Sequence, residues 1–364
     1  MNKIKVFLAR KGVVCSFRQY GVDALGAMAQ GLFCTLLVGT ILNTLGQQLH
    51  IGFLTAPVVS VGTVSYTVGG LASAMVGPGI AVAIGTALHC PPLVLFSLIP
   101  VGFAANAMGG AGGPLAVYAV TIIAAELGKL VSKETRIDIL VTPCVTVIAG
   151  IAVAQLIAAP IGTAARAVGL AIMWATELQP FFMGVLVSAL IGIALTLPIS
   201  SAAICAAFGL TGLAGGAAVA GCCAQMVGFA VMSFKENRWG GLVAQGVGTS
   251  MLQMPNILKN PRIWIPPTLA SMITGPLATC VFKLQMNGSP VSSGMGTCGF
   301  VGQIGVYTGW VSDIAAGTKA AITPMDWIGL VLICFILPAV LSTLFCRVLE
   351  MRGWIREGDM KLDL

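Results

Sequence analysis

The stretch LASAMVGPGIA at residues 71–81 returns, little changed, as LASMITGPLAT at residues 269–279. Each copy sets a Leu-Ala-Ser triplet three residues ahead of a Gly-Pro pair. Glycine and proline weaken or break helices in water, yet both copies lie inside long apolar segments. How they are read depends on the solvent around the chain.

Composition identifies that solvent. Hydrophobic residues make up 57% of the 364 and charged residues 9%, and the mean hydropathy is +0.97. A chain so poor in charge cannot cover a water-facing surface. Apolar runs long enough to cross ~30 Å of hydrocarbon, about 20 residues each, occupy residues 24–46, 137–159, 181–207 and 327–346. The expected fold is an all-α polytopic membrane protein with about ten transmembrane helices.

In that solvent, non-helical backbone must be buried by protein or line a wet cavity. The Gly/Pro clusters at 76–79, 108–114, 274–276 and 294–302 therefore read as broken helices or re-entrant hairpins. The competing reading is close helix packing through small residues, which needs no function. Isolated glycines fit that reading better. Residues 294–302, dense in glycine with Ser, Thr and Gln around them, fit a substrate-facing hairpin. If they line a cavity, Gly296→Leu should abolish transport in a folded protein; if they only pack, it should overpack the bundle.

The opening repeat has company. SFRQ at 16–19 precedes AQG at 29–31, and SFKE at 233–236 precedes AQG at 244–246; MGGAGGPLAVY at 108–118 is matched by MGTCGFVGQIGVY at 295–307. Four blocks in the same order imply two internally related halves, about 16–160 and 233–350. Weak repeats with paired Gly/Pro-interrupted segments mark many secondary transporters. Whether the second half is inverted depends on how many segments cross, which the pattern leaves open.

The net charge of +7 lacks the interleaved aromatic and basic pattern of single-strand binding, so no nucleic acid is expected. The basic residues form three clusters: Lys3, Lys5, Arg10, Lys11 and Arg18; Lys129, Lys133 and Arg136; and Arg347, Arg352, Arg356 and Lys361. The positive-inside rule makes all three cytoplasmic, with four crossings between the first two. The chain divides into a basic cytoplasmic N-terminal segment (1–20), a transmembrane domain (21–347) and a cytoplasmic tail (348–364). No cleaved signal peptide is expected, because the first 25 residues hold no apolar run ending at a small-residue cleavage site. Eleven scattered cysteines without a CxxC pair, and only two histidines, suggest no disulfide, metal or other cofactor.

Three stretches carry a family resemblance: QPFFMGVLVSALIGIALTLPISSAAI (179–204), GLAGGAAVAGCCAQMVGF (212–229) and PVSSGMGTCGFVGQIGVY (290–307). They resemble the stand-alone IIC-type membrane proteins of the bacterial sugar phosphotransferase system, including the toxin-regulator, PfoR-like group. The likeness runs from about residue 21 to 347. It implies a homodimeric sugar carrier of the bacterial cytoplasmic membrane, with re-entrant hairpins and separate IIA- and IIB-type proteins as partners. No phosphorylation module is expected on this chain, and Cys15 is the nearest approach to a relay residue in a soluble segment. The group label also suggests a second reading, a membrane sensor that binds a small ligand and signals to a partner.

Ionisable residues within spans default to functional candidates, but few exist. Glu126, beside Lys129 near a span end, and Lys283, at a membrane edge, read as snorkelling to the interface. Glu177 reads as solvated at a span mouth, Asp313 and Asp326 as flanking a loop, and His89 as seated at a helix break. No buried acid–base chain points to a proton pump. Neutral polarity remains: Asn106, Ser200, Ser201, Gln225, Gln245, Gln253, Asn256 and Gln303 lie in or beside broken segments, with Gly296 and Thr297 in the glycine-rich stretch. Amides and hydroxyls suit a hydroxyl-rich ligand, since a mismatched one leaves a buried group unpaired. The candidate substrate-binding set is Asn106, Ser200, Ser201, Gln245, Asn256, Gly296, Thr297 and Gln303, although each alone could be interhelical glue. The expected function is alternating-access transport of a small polar, sugar-like solute. No serine–histidine, metal or carboxylate-pair constellation suggests an enzyme.

Overall fold

A backbone with no water to bond must satisfy itself, and nearly all of the apolar sequence is accordingly helical. The computed structural model describes residues 7–8, 10–13 and 16–362; Lys3, Lys5 and Cys15 fall outside them. The chain divides into two units, Met1–Ala165 and Arg166–Leu364.

The first unit begins with α1 (Arg18–Gln48). A small hairpin of β1 (Val59–Val61) and β2 (Val64–Tyr66) follows. The chain returns through α2 (Val68–Ala74) and α3 (Val76–Ala87), bent by 54° at their junction. Next come α4 (Pro92–Gly109), α5 (Gly113–Val131) and α6 (Asp138–Thr176), the last running on through the unit boundary. Neighbouring passes are antiparallel, as their close approaches show. Gly39 abuts Gly69 while Gly31 abuts Gly79; Gly77 abuts Gly102 while Gly85 abuts Leu98; Gly109 abuts Ala116 while Gly128 abuts Val94; Gly112 abuts Ile161 while Gly128 abuts Thr146.

The apolar stretch Pro92–Val131 is 40 residues long and as one straight helix would reach roughly 60 Å, twice the hydrocarbon thickness. It folds back at Gly110, whose φ of +53° glycine adopts without strain. MGGAGGP is thus the turn of a helical hairpin.

Four passes bring both ends of this run together. Lys129 Nζ donates to the carbonyl oxygens of Gly12 (3.1 Å) and Leu88 (3.3 Å), and Glu134 pairs with Arg10 at 2.6 Å and with Lys11. Arg10 and Lys11 of the first basic cluster and Lys129 of the second therefore share one end of the unit. Glu126, expected to snorkel, is instead paired within the unit: Lys129, 2% exposed, meets it at 2.9 Å.

The second unit is built around α9 (Gly212–Met232), whose apolar stretch is 94% buried. Around it stand α7 (Pro180–Thr196), α12 (Ile265–Pro276) and α15 (Pro324–Met351). Ser188 meets Gly221 and Thr196 meets Gln225, so α7 runs parallel to α9. Gly228 abuts both Pro267 and Ser342; farther back along α9, Ala220 and Val219 share a core with Ala278 and Ile333. The first of these orders makes α12 antiparallel to α9, and the second makes α15 parallel. Because α7 and α9 are parallel, residues 197–211, including the short α8 (Ser201–Ala207), must run back along the whole length between them.

Among the described residues, five helical stretches are long and apolar enough to cross a membrane, or six if the bent α2–α3 pair counts as one span. The two Leu-Ala-Ser blocks end in the same kind of contact. A Cβ on Gly77 would stand 2.3 Å from the carbonyl oxygen of Gly102, and one on Gly275 would stand 2.1 Å from that of Gly184. Both Gly-Pro pairs mark helix crossings closed by small residues. Gly275→Val should therefore force α7 and α12 apart at a cost of about 1–3 kcal/mol. Thermal melting in detergent checks this, and an unchanged midpoint would refute so close a crossing.

Candidate functional site

Two further segments of the second unit enter the bundle without crossing it. The longer hairpin starts where α9 starts: Met286 bridges Gly212, and the Leu284 carbonyl lies against Gly216. It climbs through α13 (Pro290–Ser293) and turns over residues 295–300. At the turn, Gly296 lies against Cys222 and Thr297 Oγ1 donates to Met226 Sδ at 3.5 Å. It returns through α14 (Val301–Ala315), placing Gly305 on Ser292 and Gly309 on Asn287. The tip thus sits about halfway along α9, and both limbs leave at the same end. Gly296 (φ +54°) and Gly299 (φ +50°) supply the left-handed turn.

The shorter hairpin enters from the other end. It leaves α9 at Ser233 and passes through α10 (Phe234–Val243) and the wide turn Ala244–Gly248. Ser250 Oγ then reaches Thr196 Oγ1 at 2.8 Å, and the chain exits through α11 (Met254–Lys259) to the start of α12. Its turn touches Cys298–Phe300, so the hairpins meet tip to tip beside α9.

Buried polar groups gather there. Gln225 Oε1 accepts from Thr196 Oγ1 (3.3 Å) and Trp264 Nε1 (3.0 Å), while its Nε2 donates to Thr268 Oγ1 (3.1 Å). Gln303 Nε2 donates to Cys223 Sγ at 3.2 Å, but Gln303 Oε1 is buried without a partner. A buried acceptor left unpaired costs about 1–3 kcal/mol, which an incoming hydroxyl would recover.

The expected site residues separate into three groups. Ser200, Ser201, Gly296, Thr297 and Gln303 lie on or beside the long hairpin: Ser201 Oγ donates to the Gly294 carbonyl (2.7 Å), and Ser200 caps α8 by accepting from Ala203 N (3.2 Å). Gln245 and Asn256 lie on the short hairpin, and neither is free for a solute. Gln245 bonds Ser233 (2.8 Å) and Gln253 (2.9 Å), and Asn256 donates to the Lys361 carbonyl (2.8 Å). Asn106 belongs to the first unit, wedged between Gly77 and Gly113. Nor does Gly296 face open space: a Cβ there would lie 2.6 Å from Cys222 Cβ.

Reading the sequence missed a cavity of about 490 Å³ at the mouth of the long hairpin, lined by Lys283, Gln285, Asn287, Trp310, Asp313, Lys319 and Asp326 among others. Asn287 Nδ2 donates to Asp313 Oδ2 (2.8 Å), and Lys319 pairs with Asp326 (2.9 Å) while lying 5.8 Å from the Trp310 ring centre. The available signals were the polar run 283–289 just ahead of the hairpin and the one-turn spacing of Trp310 and Asp313.

With α9 filling the space beside Gly296, Gly296→Leu should lower the melting temperature, the overpacking outcome. A variant as stable as the wild type would mean that the tip stands away from α9.

A family model described as Phosphotransferase system, EIIC matches residues 22–362. Comparison with curated proteins and with solved structures gives no match. This near-complete match leads to one conclusion: the chain belongs to the phosphotransferase-system EIIC family, the membrane sugar-transport components of that system.

Proposed function

We propose that this protein carries a sugar by alternating access, binding it where the two hairpin tips meet. The observation that carries this reading is the unpartnered Gln303 Oε1, buried one turn beyond the long hairpin's tip. Thr297 lies in the tip itself, and Ser201 holds the Gly294 carbonyl just before it, so parting the tips would free hydroxyls to join it. The solute enters through the 490 Å³ cavity, whose amides and carboxylates offer the paired donors and acceptors that hydroxyls need. Withdrawal of the long hairpin opens the site toward that cavity, and withdrawal of the short one opens it toward the opposite end.

Charge supports the sidedness. The short-hairpin end of the second unit carries Lys235, Arg238, Lys259, Arg262, Arg352, Arg356 and Lys361, and the shared end in the first carries Arg10, Lys11, Lys129, Lys133 and Arg136. The positive-inside rule supports a cytoplasmic position for both ends, and with it cytoplasmic termini in a bacterial cytoplasmic membrane. Counting the two limbs of the α4–α5 hairpin, and residues 197–211 as a broken return, supports about ten passes. Related halves are supported by the repeated blocks, since both Met-Gly-rich ones form hairpin turns. Family membership supports a homodimer and phosphorylation by separate IIA- and IIB-type proteins.

Counterflow of radiolabelled hexoses, hexosamines and disaccharides in proteoliposomes tests the carrier reading, and no counterflow with any of them would oppose it. With the sugar in hand, Gln303→Met, close in size but without the amide, should leave melting unchanged and weaken binding by about 1–3 kcal/mol. Unchanged affinity would move the site elsewhere.

A further inference from the structure

Beyond α15 the chain turns back on itself. The segment 354–362 looks like a solvated tail, with Arg356, Glu357, Asp359 and Lys361 in it, yet Ile355 and Met360 are each only 2% exposed. The short hairpin holds it. Glu236 accepts from the backbone N–H groups of Gly358 and Met360, both at 3.1 Å. Asn237 makes a two-point contact, Nδ2 donating to the Met360 carbonyl and Oδ1 accepting from Leu362 N, each at 2.8 Å. Gln253 Nε2 donates to the Met360 carbonyl (2.9 Å) and Asn256 Nδ2 to the Lys361 carbonyl (2.8 Å).

Six hydrogen bonds thus run from four side chains to tail backbone. Backbone pairing plus pockets for selected side chains is how proteins grip extended peptides. Here Met360 fills the buried position, and Asn260 adds bonds to Asp359 Oδ2 (2.7 Å) and the Trp354 carbonyl (3.0 Å). The Arg262 guanidinium lies 5.2 Å from the Trp354 ring centre.

The grip reaches the hairpin's own turn. Gln253 Nε2, which holds the Met360 carbonyl, also donates to Gln245 Oε1 (2.9 Å), and Gln245 sits in the turn that touches Cys298–Phe300. A break within α10 at Arg238, a non-glycine residue at φ +51°, gives the hairpin a place to bend. We infer that residues 236–262 form a peptide-binding site whose ligand is this chain's own C-terminal segment, and that its occupation keeps the short hairpin closed against the long one. This stands independently of which solute is carried. Release of the tail leaves Asn237, Gln253 and Asn256 to water and unties Gln245 from its anchor.

Hydrogen–deuterium exchange on the full-length protein in nanodiscs tests this. Met360→Asp puts a carboxylate in the buried position and should speed exchange across residues 244–253 about tenfold or more, while residues 215–230 of α9 keep wild-type protection. Met360→Leu should behave as wild type. A synthetic peptide of residues 354–362, added to the full-length Met360→Asp protein, should restore protection, and the same peptide carrying Met360→Asp should not. Wild-type exchange at 244–253 in Met360→Asp would overturn the inference. So would an equal rise in α9, which would make the tail general cement, or failure of the native peptide to restore protection.

Discussion

The carbonyl oxygens of Leu284 and Ser188 press so close on α9 that a Cβ at Gly216 or Gly221 would stand 1.8 or 1.9 Å from them. In lipid no hydrophobic force drives one helix onto another, so van der Waals contact and interhelical hydrogen bonds must hold the bundle. The run GGAAVAGCC at 215–223 supplies that contact on several sides at once. It admits α7 on one flank, the entry of the long hairpin on another and the turn at Gly296 on a third. One larger residue in the run would displace the hairpin along with the helix.

Irregular backbone inside the bundle needs partners for its freed carbonyls, and hydroxyls supply many of them. Ser201 donates to Gly294 and Ser293 to Leu210 (2.6 Å), while the bonds from Ser188 to Ser271 (2.7 Å) and from Thr279 to Pro180 (2.7 Å) tie α7 to α12 and its helical continuation. These small polar side chains are committed to holding broken segments and neighbouring helices in place. Against that background the free oxygen of Gln303 stands out, because its neighbours have spent their capacity on the fold.

The membrane class and the hairpin at 294–302 could be read from the sequence because both follow from local composition: apolar runs of membrane length, and glycine packed densely beside Ser, Thr and Gln. The first two basic clusters were legible for a similar reason, since charge at helix ends marks the turns. Gln245 and Asn256 misled. Both are amides beside glycine-rich breaks, as a sugar site would be, but Gln245 is tied within its own hairpin to Ser233, Gly241 and Gln253, and Asn256 bonds a carbonyl more than 100 residues away that only the folded tail delivers. The cavity at the hairpin mouth was hidden likewise: Asn287 and Asp313 meet only because the hairpin between them closes. The Gly-Pro pairs could be read in two ways, and the distances to Gly102 and Gly184 favour packing over opening.

The topology of residues 286–315 decides whether a tip-to-tip site can exist, and impermeant thiol labelling in oriented vesicles tests it directly. Cysteines at Gln285 and Lys319, read against the wild-type background, should react from one face, and cysteines at Lys259 and Arg356 from the other. Labelling of positions 285 and 319 from opposite faces would mean that the segment crosses the membrane, and the hairpin and its site would not exist.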